Sequence, residues 1–326
     1  TNPERINGLI YRVKNRVLKN QPSKEIQNLD QLPLPDIDLL KNEYLTNKYF
    51  SILTSQKPVG VILTSRGCPY RCGFCYYKFQ AYRTRSPESV INEIKYQYSK
   101  GIRHIEILDD NFLLDKNRAI QIFKLIQKAR LDLTLRIKSR VDAIDDELLS
   151  EGKKANLEMV SFGCESGSER ILRKMKKSIT LKQIEQACRL TKRYRIICFT
   201  SWIFGYLGET REDIRKTVSF IKKIKPNAFQ ISPLYPYPKT EVYKSAKANK
   251  QLVGDWDANS PKIPWVKLPW MSSYDTLLKE VKRAKLELYM RPHYLKYFFY
   301  LISKYRNPML LRYGMQYLKT AINGEY

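Results

Sequence analysis

Histidine is nearly absent from this chain. His104 and His293 are the only two in 326 residues, and they lie far apart in sequence. Histidine-rich zinc sites and conventional histidine acid–base chemistry are therefore disfavoured. Acidic charge is also short: 32 Asp and Glu face 59 Lys and Arg, a formal net charge of +27. That balance permits attraction to RNA or to an anionic membrane surface, although the cations are spread along the chain as on a solvated basic surface. No run of 18 or more apolar residues occurs, which argues against a spanning helix. No apolar run follows the opening Thr1-Asn2-Pro3-Glu4-Arg5, so no signal peptide is visible, and the expected location is cytoplasmic or membrane-peripheral.

Cysteines number only six, and their placement is uneven. Cys68, Cys72 and Cys75 fall within eight residues, whereas Cys164, Cys188 and Cys198 sit singly in apolar patterns that read as core. A tight triple without a secretion signal points to metal binding in a reducing compartment rather than to disulfides.

From about residue 59 short β-branched runs alternate with amphipathic helical patterns. Strands are predicted at 59–65, 103–109, 133–139, 158–163, 196–204 and 227–233, and helices near 87–99, 115–129, 145–154, 180–194 and 210–224. Such alternation predicts an α/β fold with a parallel sheet and right-handed crossovers. Six units suit a partial (βα)6 TIM-like barrel, with ligands at the carboxyl ends of the strands. Residues 1–55 read as an extended connector, 56–245 as the barrel, and 246–326 as a helical, basic, aromatic-rich extension. The tail either packs on the barrel or lies on a membrane surface.

The segment Cys68-Pro69-Tyr70-Arg71-Cys72-Gly73-Phe74-Cys75 carries the chemistry. Three thiolates at this spacing can hold three irons of a 4Fe-4S cubane and leave the fourth open to a chelating amine and carboxylate. A three-cysteine zinc site with a distant fourth ligand, or inert thiols, are the alternatives. Zinc loops usually come as two C-x2-C pairs, and no second pair exists.

This segment resembles the radical SAM superfamily motif C-x3-C-x-aromatic-C, with Phe74 in the aromatic position. The resemblance extends over about residues 55–245 and is closest to the cobalamin-linked branch. Asp109-Asp110-Asn111-Phe112 is similar to that branch's amine-binding segment. Ser139-Arg140-Val141-Asp142 follows the third strand as it does there, and Phe162-Gly163-Cys164-Glu165-Ser166-Gly167-Ser168 resembles F-G-x-E-S-G-S. Gly205-Tyr206-Leu207-Gly208-Glu209-Thr210 resembles G-x-P-G-E-T with Leu207 for proline, and Pro236-Tyr237-Pro238-Lys239-Thr240 resembles P-x-P-G-T with Lys239 for glycine.

The resemblance implies a 4Fe-4S cluster on Cys68, Cys72 and Cys75. It implies S-adenosylmethionine (SAM) near Phe74, Asp109, Asp110, Asn111, Arg140, Glu165 and Ser166. It also implies reductive SAM cleavage to a 5′-deoxyadenosyl radical for methylation, cyclisation or rearrangement, as in magnesium-porphyrin ester cyclases and phosphorus- or carbon-methylating enzymes. Expected partners are a small-molecule substrate and an electron donor such as flavodoxin or ferredoxin. Cobalamin is implied only if a domain with a D-x-H-x-x-G loop precedes Thr1, since no such loop lies in this chain and residues 1–55 resemble the linker after one. Competing readings are an RNA-modifying, methylthiotransferase-like radical SAM enzyme and a zinc-stabilised nucleic-acid-binding protein without catalytic activity.

Overall fold

The computed structural model describes residues 2–40, 58–76, 81–254, 256 and 263–305. Six strands form one sheet: β1 Val59–Ile62, β2 His104–Ile107, β3 Thr134–Ser139, β4 Leu157–Glu165, β5 Ile197–Phe204 and β6 Ala228–Pro233, paired in sequential order. Every pairing is parallel. The sheet stays open, with β1 and β6 at its two edges.

The crossover helices are α1 Pro87–Ser99, α2 Lys116–Ala129, α3 Asp146–Lys154, α4 Leu181–Arg193 and α5 Arg211–Ile224. Each starts where a short polar side chain can accept a first-turn amide. Ser86, Asp115, Asp145, Thr180 and Thr210 all do so. These caps fix where each crossover turns back along the sheet.

Strand alternation sorts the residues into two faces. Ile105, Ile107, Leu135, Ile137 and Leu157 are buried in a core shared with Ile94, Phe123, Leu148 and Ile184 of the helices. On the opposite face Glu106 and Arg136 meet across neighbouring strands at 2.7 Å. The core thus lies between sheet and helices, which leaves the carboxyl ends of the strands free for polar groups.

β1 and β2 are shorter than the sequence predicts. The chain leaves β1 after Ile62, and Ser65–Arg66 pairs antiparallel with Arg83–Thr84 instead. The cause is Asp109, whose carboxylate captures the Thr64 amide and hydroxyl and draws the chain aside. The N-terminal connector contains an exposed hairpin, Ile10–Val13 with Arg16–Lys19, that the sequence did not announce. Its turn uses Lys14 at φ 50° rather than a glycine. Residues 41–55 of that connector, and the first two of the barrel, lie outside the described residues.

In the C-terminal extension the described residues form helices Tyr274–Tyr289 and Pro292–Tyr305 beside a short antiparallel pair, Leu252–Val253 with Trp265–Val266, and residues 306–326 lie outside the described residues. Among the described residues no helix is long and apolar enough to cross a membrane.

Candidate functional site

The cysteine loop follows β1, with Gly67 at φ 87° turning the chain into it. Cys72 is buried, while Cys68 and Cys75 are half-buried. The loop is fastened at its centre: the Gly73 amide donates to the Met175 carbonyl at 2.8 Å, and its carbonyl accepts the Val242 amide at 3.0 Å. A side chain at Gly73 would meet the Tyr206 hydroxyl at 2.6 Å, so glycine is required for that close approach. Phe74 packs against the core.

Two motifs act on the loop at a distance. Lys239, where the family pattern has glycine, keeps the left-handed backbone at φ 69°. Thr240 then caps the helix Glu241–Ala248, whose Val242 amide holds the loop. In the segment after β5, Tyr206 reaches the Lys174 carbonyl at 3.2 Å.

Among the described residues no three His, Cys, Asp or Glu side chains converge as a single metal ion requires. Burial pushes the Cys72 thiol up, whereas the nearby Lys177 and Arg140 charges pull it back. Two buried cations beside the most buried cysteine of the loop suit a segment meant to carry thiolates.

Arg140 is held over the loop. Its guanidinium stacks on the Tyr70 ring at 3.6 Å. It donates to both Asp142 oxygens at 3.0 and 2.9 Å and to the Ser178 carbonyl at 3.3 Å. Among the described residues its buried Nη1 finds no partner. Asn111 accepts from the Ser139 hydroxyl at 2.9 Å and the Arg140 amide at 3.3 Å, and among the described residues its buried Nδ2 has no partner. Two orphaned donors at the strands' carboxyl ends are costly unless a ligand supplies acceptors.

Glu165 ends β4 at φ 66°, a strained position for a residue with a side chain, beside a register shift between Gly163 and Glu165. Its carboxylate takes the Lys177 ammonium at 2.9 Å, both side chains being buried. The pair excludes any side chain at Gly163, where a Cβ would lie 2.4 Å from Glu165 Oε1. Burial alone would lower the Lys177 pKa, but Glu165 and Cys72 hold it above the ordinary lysine value.

The remaining predicted residues divide. Asp109 is fully buried and accepts from the Thr64 amide at 2.6 Å, the Thr64 hydroxyl at 2.5 Å and the Ser65 hydroxyl at 2.6 Å, so three donors of the chain already occupy it. Asp110 is exposed; partial burial and Asp109 raise its pKa, and Lys138 lowers it. Ser166 accepts the Ser168 amide at 3.1 Å, and Gly167 donates to Thr217 at 2.9 Å, which seats this turn against α5. Cys164, Cys188 and Cys198 are buried as core residues.

Lys177 is the residue that sequence reasoning missed. It has no motif of its own, and 59 basic residues hide it. The signal that could have found it is a lysine one short helix, Glu169–Lys174, beyond a glutamate at a strand's end.

A family model described as the radical SAM superfamily matches residues 62–221. An uncharacterized methyltransferase of Pyrococcus horikoshii is 35% identical over 290 residues, 87% of this chain and 61% of the relative. The anaerobic magnesium-protoporphyrin IX monomethyl ester cyclase of Rubrivivax gelatinosus is 26% identical over 90% of this chain and 52% of its own length. The chain thus spans between half and two thirds of these curated relatives. Among solved structures, the radical S-adenosylmethionine methyltransferase TsrM from Kitasatospora setae, with tryptophan substrate and a SAM analogue bound, superposes with a TM-score of 0.67. It shares 18% identity over 86% of this chain and 62% of that one, a likeness of fold.

Proposed function

The chain belongs to the radical SAM superfamily, and on that premise we propose that it carries a 4Fe-4S cluster on Cys68, Cys72 and Cys75 and cleaves SAM reductively. Cys68, Cys72 and Cys75 would hold the cluster, which would supply the one-electron reduction needed to cleave the SAM sulfonium bond.

The chain's own residues prepare that event. Gly73, braced by Met175 and Val242, sets the loop. Lys177 and Arg140 offset the negative charge of thiolates around Cys72. Asn111 Nδ2 and Arg140 Nη1 offer buried donors to the polar groups of SAM. Glu165 offers a carboxylate beside Phe74, with Lys177 lying 5.9 Å from that ring. Asp110 faces solvent at the same edge of the sheet and is available to a cationic amine. Ser166 contributes by fixing the turn that carries Glu165.

The downstream reaction we propose is methylation or cyclisation of a small molecule, in keeping with the relatives' printed activities. A one-electron donor of the flavodoxin or ferredoxin class completes the scheme. The observation that carries the reading is the convergence of Cys72 with Lys177, Arg140 and Glu165 at the strands' carboxyl ends. Anaerobic reconstitution, reduction with dithionite and quantification of 5′-deoxyadenosine from SAM test it: the native chain yields the nucleoside and Cys72→Ala yields none.

A further inference from the structure

The helix Pro292–Tyr305 has two apolar faces, and among the described residues only one of them is packed. Inward, Leu301 packs with Met159 and Ile197 near the amino ends of β4 and β5, and Tyr294 is buried against Phe229 of β6 and Tyr289. Outward, Leu295 is 36% exposed, Phe299 65% and Tyr300 53%, with Met290 at 55% just before the helix. Leu295 with Phe299, and Lys296 with Tyr300, stand four residues apart and share that outer face.

Charge along this part of the chain is one-sided. From Met290 to Gly324 the sequence contains no Asp or Glu, yet it contains Arg291, Lys296, Lys304, Arg306, Arg312 and Lys319. Elsewhere the described cations meet acids repeatedly, as at Lys222 with Glu287 and Lys176 with Glu241.

We propose that the outer face of helix Pro292–Tyr305 docks on an anionic lipid bilayer. Phe299, Leu295 and Met290 enter the headgroup–acyl boundary, Tyr300 sits at its polar edge, and Arg291 and Lys296 meet lipid phosphates. A second copy of the chain fits this face poorly, because an isologous contact would set cations against cations with no acid between them. RNA would use the aromatic rings for stacking but gains little from exposed Leu295 and Met290. The helix lies at the amino ends of the strands, opposite the cysteine loop, so docking leaves the cluster face open.

Sedimentation of the full chain with vesicles tests this, comparing pure phosphatidylcholine with phosphatidylcholine containing phosphatidylglycerol. The chain pellets with the anionic vesicles and not with the neutral ones. Phe299→Ser with Tyr300→Ser lowers the partition coefficient about tenfold, and Lys296→Gln lowers it about fivefold. Thermal midpoints stay unchanged, since these side chains are exposed, which separates lost docking from lost folding. Absence of pelleting with anionic vesicles, or equal pelleting with neutral ones, overturns the proposal. So does a concentration-dependent dimer that Phe299→Ser abolishes, or salt-sensitive RNA retention without vesicle binding.

Discussion

Two buried carboxylates stand at the carboxyl ends of β2 and β4, and the chain treats them differently. Asp109 accepts three hydrogen bonds from Thr64 and Ser65. Glu165 leans on Lys177 alone, from a strained backbone position, next to the cysteine loop. A carboxylate that accepts three donors of its own chain is held in one orientation, and it turns the chain out of β1. One held by a single movable cation, with strain stored in its backbone, is built to respond to what arrives. Position at a strand's end nominates both residues; the census of donors separates them.

Substitution at Asp109 gives the largest expected effect. Asp109→Ala leaves two hydroxyls and an amide buried without an acceptor, and costs about 3–5 kcal/mol of folding stability. Chemical denaturation measures it, and a loss below about 1 kcal/mol would erase the contrast between the two carboxylates. Lys177→Met strands the Glu165 charge and costs about 2–3 kcal/mol. Adding Glu165→Gln recovers most of that loss, because a buried pair replaced whole is far less costly than a pair broken. If the two losses simply add, the pair is not coupled.

A third buried carboxylate sharpens the comparison. Burial raises Glu209 to about 8, opposed by the Gly205 and Tyr206 amides. Its folded pKa lies above the ordinary carboxyl value, so the folded state holds a proton that the unfolded chain releases. That contribution is fully present below the ordinary carboxyl pKa and is lost as pH rises towards 8. Stability should therefore fall by about 1–2 kcal/mol more between pH 6 and pH 8 in the native chain than in Glu209→Gln. Parallel slopes in the two proteins would contradict this. The smallest effect is the strain itself: in a Lys177→Met background, Glu165→Gly should stabilise the fold by about 1 kcal/mol relative to Glu165→Ala.

The barrel was legible because β-branched runs and capped amphipathic helices are local signals. Helices α1 to α5 start within one residue of the predicted positions, and the polar caps Ser86 and Thr210 announce two of them. Shortening of β1 was not legible, since Thr64 and Ser65 are strand-compatible residues diverted by Asp109, 44 and 45 positions away. The cysteine triple could be read from spacing alone. The Glu165–Lys177 pair could not, because which of many lysines folds back onto a strand's end is decided by tertiary packing. The hairpin Ile10–Val13 with Arg16–Lys19 escaped for lack of a glycine or proline turn.

Iron and nucleoside together test the central claim most directly. The anaerobically reconstituted chain should bind about four irons, absorb near 400 nm, and release 5′-deoxyadenosine from SAM on reduction, with Cys72→Ala losing both iron and product. A colourless native chain, or a Cys72→Ala variant that makes the nucleoside at the native yield, would contradict the account.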